Sequence, residues 1–239
     1  MTPAYYKKLS IVTVTLNSMK PLAATLNSVK RQNRRGEVEF IVIDGLSNDG
    51  SMELLDKYRA DIDILYSSKD RGVYDAMNKA VKVSTGEWLY YLNAGDVFLN
   101  DDSLSRILDQ IDDSDVLYSD VLVDKGNATY EFKTSFDDRI LNHQGFVYRR
   151  ELHEKFGPYS VIKGFTAADY FFFLQLHGLK VKKLDTAIAI FKTGGLSSTV
   201  NAVHQKYCLD FLAGRIGALN LAIRLIVYPF YRALMSLFR

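Results

Sequence analysis

The sequence predicts an α/β fold: a mainly parallel sheet flanked by helices, followed by a helical C-terminal appendage. Three observations carry this. Through the first 120 residues, short β-rich runs alternate with helix-like stretches, the pattern of βαβ units and a parallel sheet. The run Phe40-Ile41-Val42-Ile43-Asp44 is nearly all apolar, as a strand covered on both faces should be. The chain has 239 residues, 48% of them apolar, enough for one large domain with a sizeable core.

In order, strands are expected at 9–15 (LSIVTVT), 38–43 (VEFIVI), 62–66 (IDILY), 87–92 (EWLYYL) and 115–118. Helices are expected near 22–33, 50–60, 73–84 and 102–111. After residue 120 the alternation breaks. Strands follow at 128–133 and 145–149, a helix at 167–177, and a strand pair at 180–184 and 187–191. A TGGLSS loop then leads into an apolar, basic tail. The division expected is a catalytic domain over 1–199 and an amphipathic helical segment over 200–239.

In open parallel sheets, ligands bind outside the carboxyl ends of the strands. Four such ends carry small, polar or acidic groups: Thr15-Leu16-Asn17, Asp44 to Gly50, Ser67 to Gly72, and Asn93-Ala94-Gly95-Asp96. Turn chemistry explains any one of these loops. Ser47 or Asn48 can cap the next helix, and Asp70-Arg71-Gly72 can be a plain turn. All four on one edge argue for one site. An acid there can accept from a ribose hydroxyl or a base N–H, Arg71 can bond a phosphate, and Asp96 can hold a divalent cation shared with phosphates. Walker A and G-x-G-x-x-G patterns are missing, as is zinc-type Cys/His spacing. A net charge of +2 gives no reason to expect nucleic-acid binding.

SIVTVTLN, IVIDGLSNDGS, KDRGVYDAMNKAV, TGEWLYYLNAGD and AADYFFFLQL, in that order over residues 9–195, resemble family 2 glycosyltransferases of the GT-A fold, of the bacterial exopolysaccharide, capsule and O-antigen type. The resemblance implies a nucleotide-sugar donor (UDP being the commoner nucleotide), Mg²⁺ or Mn²⁺, and inverting transfer to an acceptor hydroxyl. Matched by position, Thr15, Asn17, Asp44 and Arg71 fall at nucleotide-contacting places, with Asp75 and Asn78 nearby. Asn93 to Asp96 match the DxD-type motif, and Asp96 its metal ligand. Asp169 matches the general base. The usual Asp-x-Asp-Asp cluster is here Asn93-Ala94-Gly95-Asp96, so one carboxylate remains. Ala168 stands where a Glu often precedes the base.

Thr166-Ala167-Ala168-Asp169 also has the T-x-x-D form of a capping box, which gives Asp169 a structural alternative. His143-Gln144 resembles a pair that contacts acceptor or donor sugar. Tyr74 and Trp88 read as core or wall. One ring of Phe171-Phe172-Phe173 is free to face the site or a partner, and Gly194-Gly195 opens a loop that reads as plain loop or lid.

The lone Cys208 and the lack of an apolar signal-peptide core at the start lead to an expectation of cytoplasmic residence. Residues 211–239 carry four arginines and no acid. On a helix, Arg224, Arg232 and Arg239 share one arc of about 80°. This suggests an interfacial helix on the inner membrane surface, close to a lipid-linked or saccharide acceptor; packing on the domain and a homo-oligomer contact are the alternatives. Two competing functions stand beside sugar transfer: nucleotidyl transfer, and sugar-nucleotide binding in a scaffold.

Overall fold

The computed structural model describes residues 8–193 and 199–236. Its elements are β1 (Leu9–Thr15), α1 (Met19–Lys30), β2 (Glu39–Asp44), α2 (Ser51–Lys57), β3 (Ile64–Ser67), α3 (Val73–Val83), β4 (Trp88–Tyr91), β5 (Val97–Phe98), α4 (Ser103–Gln110), β6 (Val116–Tyr118), β7 (Val121–Asp124), β8 (Thr129–Phe132), β9 (Phe146–Arg149), α5 (Leu152–Phe156), α6 (Ala168–Gln175), β10 (Val181–Lys183), β11 (Ala189–Lys192), α7 (Val200–Leu212) and α8 (Ala218–Ser236).

Strand periodicity builds two cores. Leu9, Ile11, Phe40, Val42, Trp88 and Tyr90 pack on one side with Leu22 and Leu26 of α1, Leu55 of α2 and Ile107 of α4. Val12, Val14, Ile41, Ile43, Leu89 and Tyr91 pack on the other with Ala76 and Met77 of α3 and Phe172 and Phe173 of α6. Successive strand side chains point to opposite faces, so an unbroken apolar run such as β2 feeds both layers. Of the two acids in β2, Glu39 is buried with three partners: Ser10 Oγ at 2.6 Å, Thr85 N at 2.9 Å and Thr85 Oγ1 at 2.9 Å.

The large sheet runs β10-β6-β9-β4-β1-β2-β3. All neighbours are parallel except at β9, which is antiparallel to both β4 and β6. Strand order reverses at β1: β2 and β3 lie to one side and β4 to the other. Such a switch point leaves a crevice at the carboxyl ends. A second sheet, β5-β11-β7-β8, lies beyond it.

Three features differ from the sequence expectation. The pair at 180–184 and 187–191 is no hairpin. β10 pairs with β6 in the large sheet and β11 joins β5 and β7 in the small one, because each segment finds a longer-range partner on either side of the buried Leu184 and Ile188. β5, only two residues long, and β7, separated from β6 by Ser119-Asp120 alone, are too short to stand out in the chain. The tail is two helices. α7 ends at Leu212, the chain turns with Gly214 at φ 71°, and α8 follows.

α7 is fastened to the sheet domain. Tyr170 donates to Asp210 at 2.6 Å, Thr166 N donates to Gln205 at 2.7 Å, and Ala202 is buried. α8 packs on α7, with Arg224 over the Tyr207 ring at 5.2 Å and Tyr228 edge-on to Tyr207.

Two predictions follow from buried polar contacts. Thr25 Oγ1 of α1 donates to Asp96 O at 2.8 Å and accepts from Gly95 N at 2.9 Å. Thr25→Val keeps the shape and strands both groups, lowering unfolding free energy by about 1–3 kcal/mol in urea titrations. His153 is buried between Tyr148 OH (2.9 Å) and Gly157 O (3.2 Å), and burial pushes its pKa down to about 4. The unfolded chain, with a histidine pKa of about 6.5, therefore takes up this proton first. Stability falls as pH drops from about 6.5 to about 4, by at most ~3 kcal/mol from this group. Thermal melts across that window show a shallower fall in a His153→Phe variant.

Candidate active site

A cavity of about 740 Å³ opens beside the loop that follows β4. Arg71, Asn93, Asp96, His143, Gln144 and Asp169 all line it. They come from four separate segments of chain. The strand edge therefore gathers residues up to 98 positions apart into one place, Arg71 to Asp169.

The floor is the loop after β4. Leu92 N and Ala94 N donate to Val12 O and Val14 O at 2.9 and 3.2 Å, so the loop continues the β4 pairing along β1. Gly95 adopts φ 107°, a conformation that a side chain would strain. This turn swings Asp96 inward, 5% exposed. Its Oδ2 accepts from Gln144 Nε2 at 2.9 Å. Burial raises the Asp96 pKa to about 6, against the opposing effects of nearby His143 and the Gln144 bond. The apolar segment after the turn is β5, held by β11.

Asp169 sits in the first turn of α6. Its Oδ1 accepts from Tyr74 OH at 2.8 Å, and its Oδ2 lies 3.3 Å from His143 Nδ1. Burial alone would raise its pKa; His143, the Lys206 charge and the Tyr74 bond outweigh this and hold it well below the usual carboxylate range. The capping-box alternative is not formed: Ala167 occupies the N-cap, and Thr166 turns to Gln205.

His143 and Gln144 occupy a 3-10 turn, His143–Gly145, just before β9. Both His143 nitrogens have protein partners, Asp169 and Asn93 Nδ2 (3.2 Å). Arg71 stands at the rim, its side chain 76% exposed, and Asp75 holds it through the backbone N (3.0 Å) and the guanidinium (3.1 Å).

The other expected residues do not line the cavity. Asp44 is fully buried and accepts from Leu46 N, Ser47 N and Ser67 Oγ, which shapes the loop after β2. Asn17 accepts from Asn48 N at 2.8 Å and ties the first loop to that one. Thr15 is buried, and its Oγ1 has no partner among the described residues. Asn78 brackets Tyr159, accepting from its N (2.9 Å) and donating to its O (2.8 Å), and so anchors the loop at 157–166. Neither Ser47 nor Asn48 caps α2, whose N-cap is Gly50. Asp70 Oδ1 accepts from Gly72 N at 2.9 Å, so that segment is both a turn and the support of Arg71.

Sequence reasoning missed Tyr74 as a partner of the base, and missed Lys163 and Lys192 on the cavity wall. Tyr74 follows Arg71 by three residues, which is a usable signal. Nothing in the chain marks the two lysines. Gly194-Gly195 lies outside the described residues.

Among the described residues no three His, Cys, Asp or Glu side chains cluster to hold a metal. The Asp96 carboxylate and Asn93 Oδ1, which is buried without a partner, are nevertheless hard oxygen donors of the kind Mg²⁺ and Mn²⁺ accept. Two such ligands leave most positions to substrate and water.

The glycosyl transferase family 2 model matches residues 10–169. A PGL/p-HBAD biosynthesis glycosyltransferase of Mycobacterium bovis is 32% identical over 207 residues, covering 80% of this chain and 79% of its own. The crystal structure of S. aureus TarS 1–349 in complex with UDP-GlcNAc superposes with a TM-score of 0.72 at 21% identity, over 91% of this chain and 70% of that one. The mannosyltransferase PcManGT from Pyrobaculum calidifontis, in complex with GDP-Man and Mn²⁺, gives 0.69 at 16%, over 93% and 71%. The fold is that of the GT-A transferases, and the chain belongs to glycosyl transferase family 2.

Proposed function

We propose that this chain is an inverting glycosyltransferase of cell-surface polysaccharide assembly. It moves a sugar from a nucleotide-diphosphate donor, a UDP-sugar, to a hydroxyl of a lipid-linked or oligosaccharide acceptor. One observation carries this reading: two carboxylates in opposite electrostatic states face one cavity. Asp169 is held ionised by its neighbours Tyr74 and His143, while burial of Asp96 outweighs its Gln144 bond and raises its pKa. Carboxylates driven apart in this way divide the roles of base and charge-binding group.

The acceptor oxygen attacks the anomeric carbon as the bond to the diphosphate breaks. Its proton passes to Asp169, and the diphosphate leaves with the electron pair. Arg71 meets the charge that develops there. Asp96 and Asn93 Oδ1 are the residues that would hold Mg²⁺ or Mn²⁺, which when bound neutralises diphosphate charge. Thr15, Asn17 and Asp44 shape the nucleotide end from behind, Asp75 aims Arg71, and Asn78 braces the opposite wall.

The division inferred along the chain places transfer in residues 1–199 and surface attachment in 200–239, with α7 as the joint. Leu219, Ile223, Ile226 and Phe230 of α8 are 76, 52, 62 and 73% exposed, and their spacing puts them on one helix face. Four arginines and no acid over 211–239 suit an anionic bilayer surface. Among the described residues no helix is long and apolar enough to cross a membrane, so the contact proposed is peripheral.

Asp169→Asn keeps the thermal stabilisation given by UDP with Mn²⁺ and lowers nucleotide-sugar turnover about 10²–10⁴-fold; wild-type turnover in that variant would sink the assignment. The chain floats with vesicles containing anionic phospholipid, and the double change Ile226→Glu, Phe230→Glu leaves it in solution while turnover with a water-soluble acceptor persists. If that variant instead halves the mass of the chain in solution, the face joins two copies.

A further inference from the structure

The turn His143–Gly145 is placed with unusual tightness for a segment between two sheets. Asn142 accepts from Gln144 N at 3.1 Å, and Tyr90 of β4 donates to Gln144 O at 3.1 Å. Gly145 lies so close to the β6–β7 junction that a Cβ there would meet Ser119 O at 2.5 Å. Both side chains are then committed to the site. Gln144, 2% exposed, donates to Asp96. His143 lies between Asp169 and Asn93, and neither of its nitrogens bonds the scaffold.

The hydrogen bonds also fix a tautomer. Asn93 presents its Nδ2 to His143 Nε2, and an amide N–H can only donate. Nε2 therefore accepts, and the proton sits on Nδ1, which faces Asp169 Oδ2 at 3.3 Å. With Nδ2 spent, Asn93 Oδ1 points elsewhere and is the orphaned atom at the donor end. A continuous line runs from the proposed cation position through Asn93 and His143 to the base.

Resting on the glycosyl-transfer reading above, we propose that His143-Gln144 is a positioning bracket: Gln144 fixes the Asp96 carboxylate, and His143 orients Asp169 through Nδ1–H in a tautomer set by Asn93. His143 is thus neither the proton acceptor nor a sugar ligand. It aligns the base with the bound donor. Supporting groups of this kind act on reactive geometry more than on affinity.

Kinetics of the full chain test this, using UDP-GlcNAc, UDP-glucose or GDP-mannose with Mn²⁺, whichever the wild type turns over. His143→Ala lowers kcat about 10–100-fold and changes the donor KM less than about threefold. His143→Asn restores most of kcat, because its amide N–H can take the place of imidazole Nδ1–H. His143→Gln does not, because its amide reaches the Nε2 position instead. Wild-type kcat in the alanine variant overturns the inference, as does a loss confined to KM. An asparagine variant as inactive as alanine also overturns it and makes the imidazole itself the base. Failure of the wild type to turn over any nucleotide sugar overturns the glycosyl-transfer reading, and the bracket with it.

Discussion

Everything at the site depends on β4 lying parallel and adjacent to β1. The chain leaves β1, builds β2 and β3 outward, and returns to the opposite side. That return opens the crevice. It also lets the backbone after β4 keep bonding along β1 for two further contacts, Leu92 N to Val12 O and Ala94 N to Val14 O. Thr13 Oγ1 adds a bond to Leu92 O at 2.7 Å. The Asn93–Asp96 loop is therefore an extension of the sheet. Preorganised polar groups need no reorganisation when charge develops, and this is the physical source of their effect.

The cost of such a site is desolvation. Asp96 is buried with one side-chain donor, and its raised pKa is the visible consequence. Asp169 is also largely withdrawn from water, its side chain 17% exposed, but it receives Tyr74 and His143, and its pKa falls. The two groups differ chiefly in their neighbours. Those neighbours come from α3 and from the turn before β9, elements that also complete the core. Binding chemistry and packing share the same backbone.

The sheet up to residue 118 was legible because β1, β2 and β4 are buried on both faces, and continuous apolar runs such as FIVID survive in the sequence. Asp96 and Asp169 stood out for another reason: one follows the buried run WLYYL and the other opens the aromatic stretch YFFFLQL, and both line the cavity. Asp44 and Asn78 were read as ligand groups; in the structure Asp44 accepts from Leu46 N, Ser47 N and Ser67 Oγ, and Asn78 bonds the Tyr159 backbone. From sequence alone a strand-end Asp that closes its own loop cannot be told from one that binds a substrate, since both roles need the same acceptor at the same position. β5, β7 and the routing of β10 and β11 into different sheets were not legible. Two to four residues carry too little periodicity, and their pairing is decided by partners more than 60 positions away, as in Ile190 with Leu122.

The C-terminal helices extend the same logic to the outside of the molecule. α7 holds Thr166 through Gln205 and Tyr170 through Asp210, and these residues flank Asp169. α8 in turn spends one side on α7: Leu221, Leu225 and Tyr228 are half-buried, while Leu219, Ile223, Ile226 and Phe230 are left to solvent. Burying a large aliphatic or aromatic side chain is worth about 1.5–3 kcal/mol, so four together are a strong drive toward an apolar surface. Arg224 is drawn back over Tyr207, which leaves that face uncharged at its centre. A surface that takes up α8 is thereby linked, through α7 and two hydrogen bonds, to the residues on either side of the base. In the function proposed above, attachment through α8 would thus reach the base by one mechanical path, with an acceptor at that surface held at a set height from Asp169.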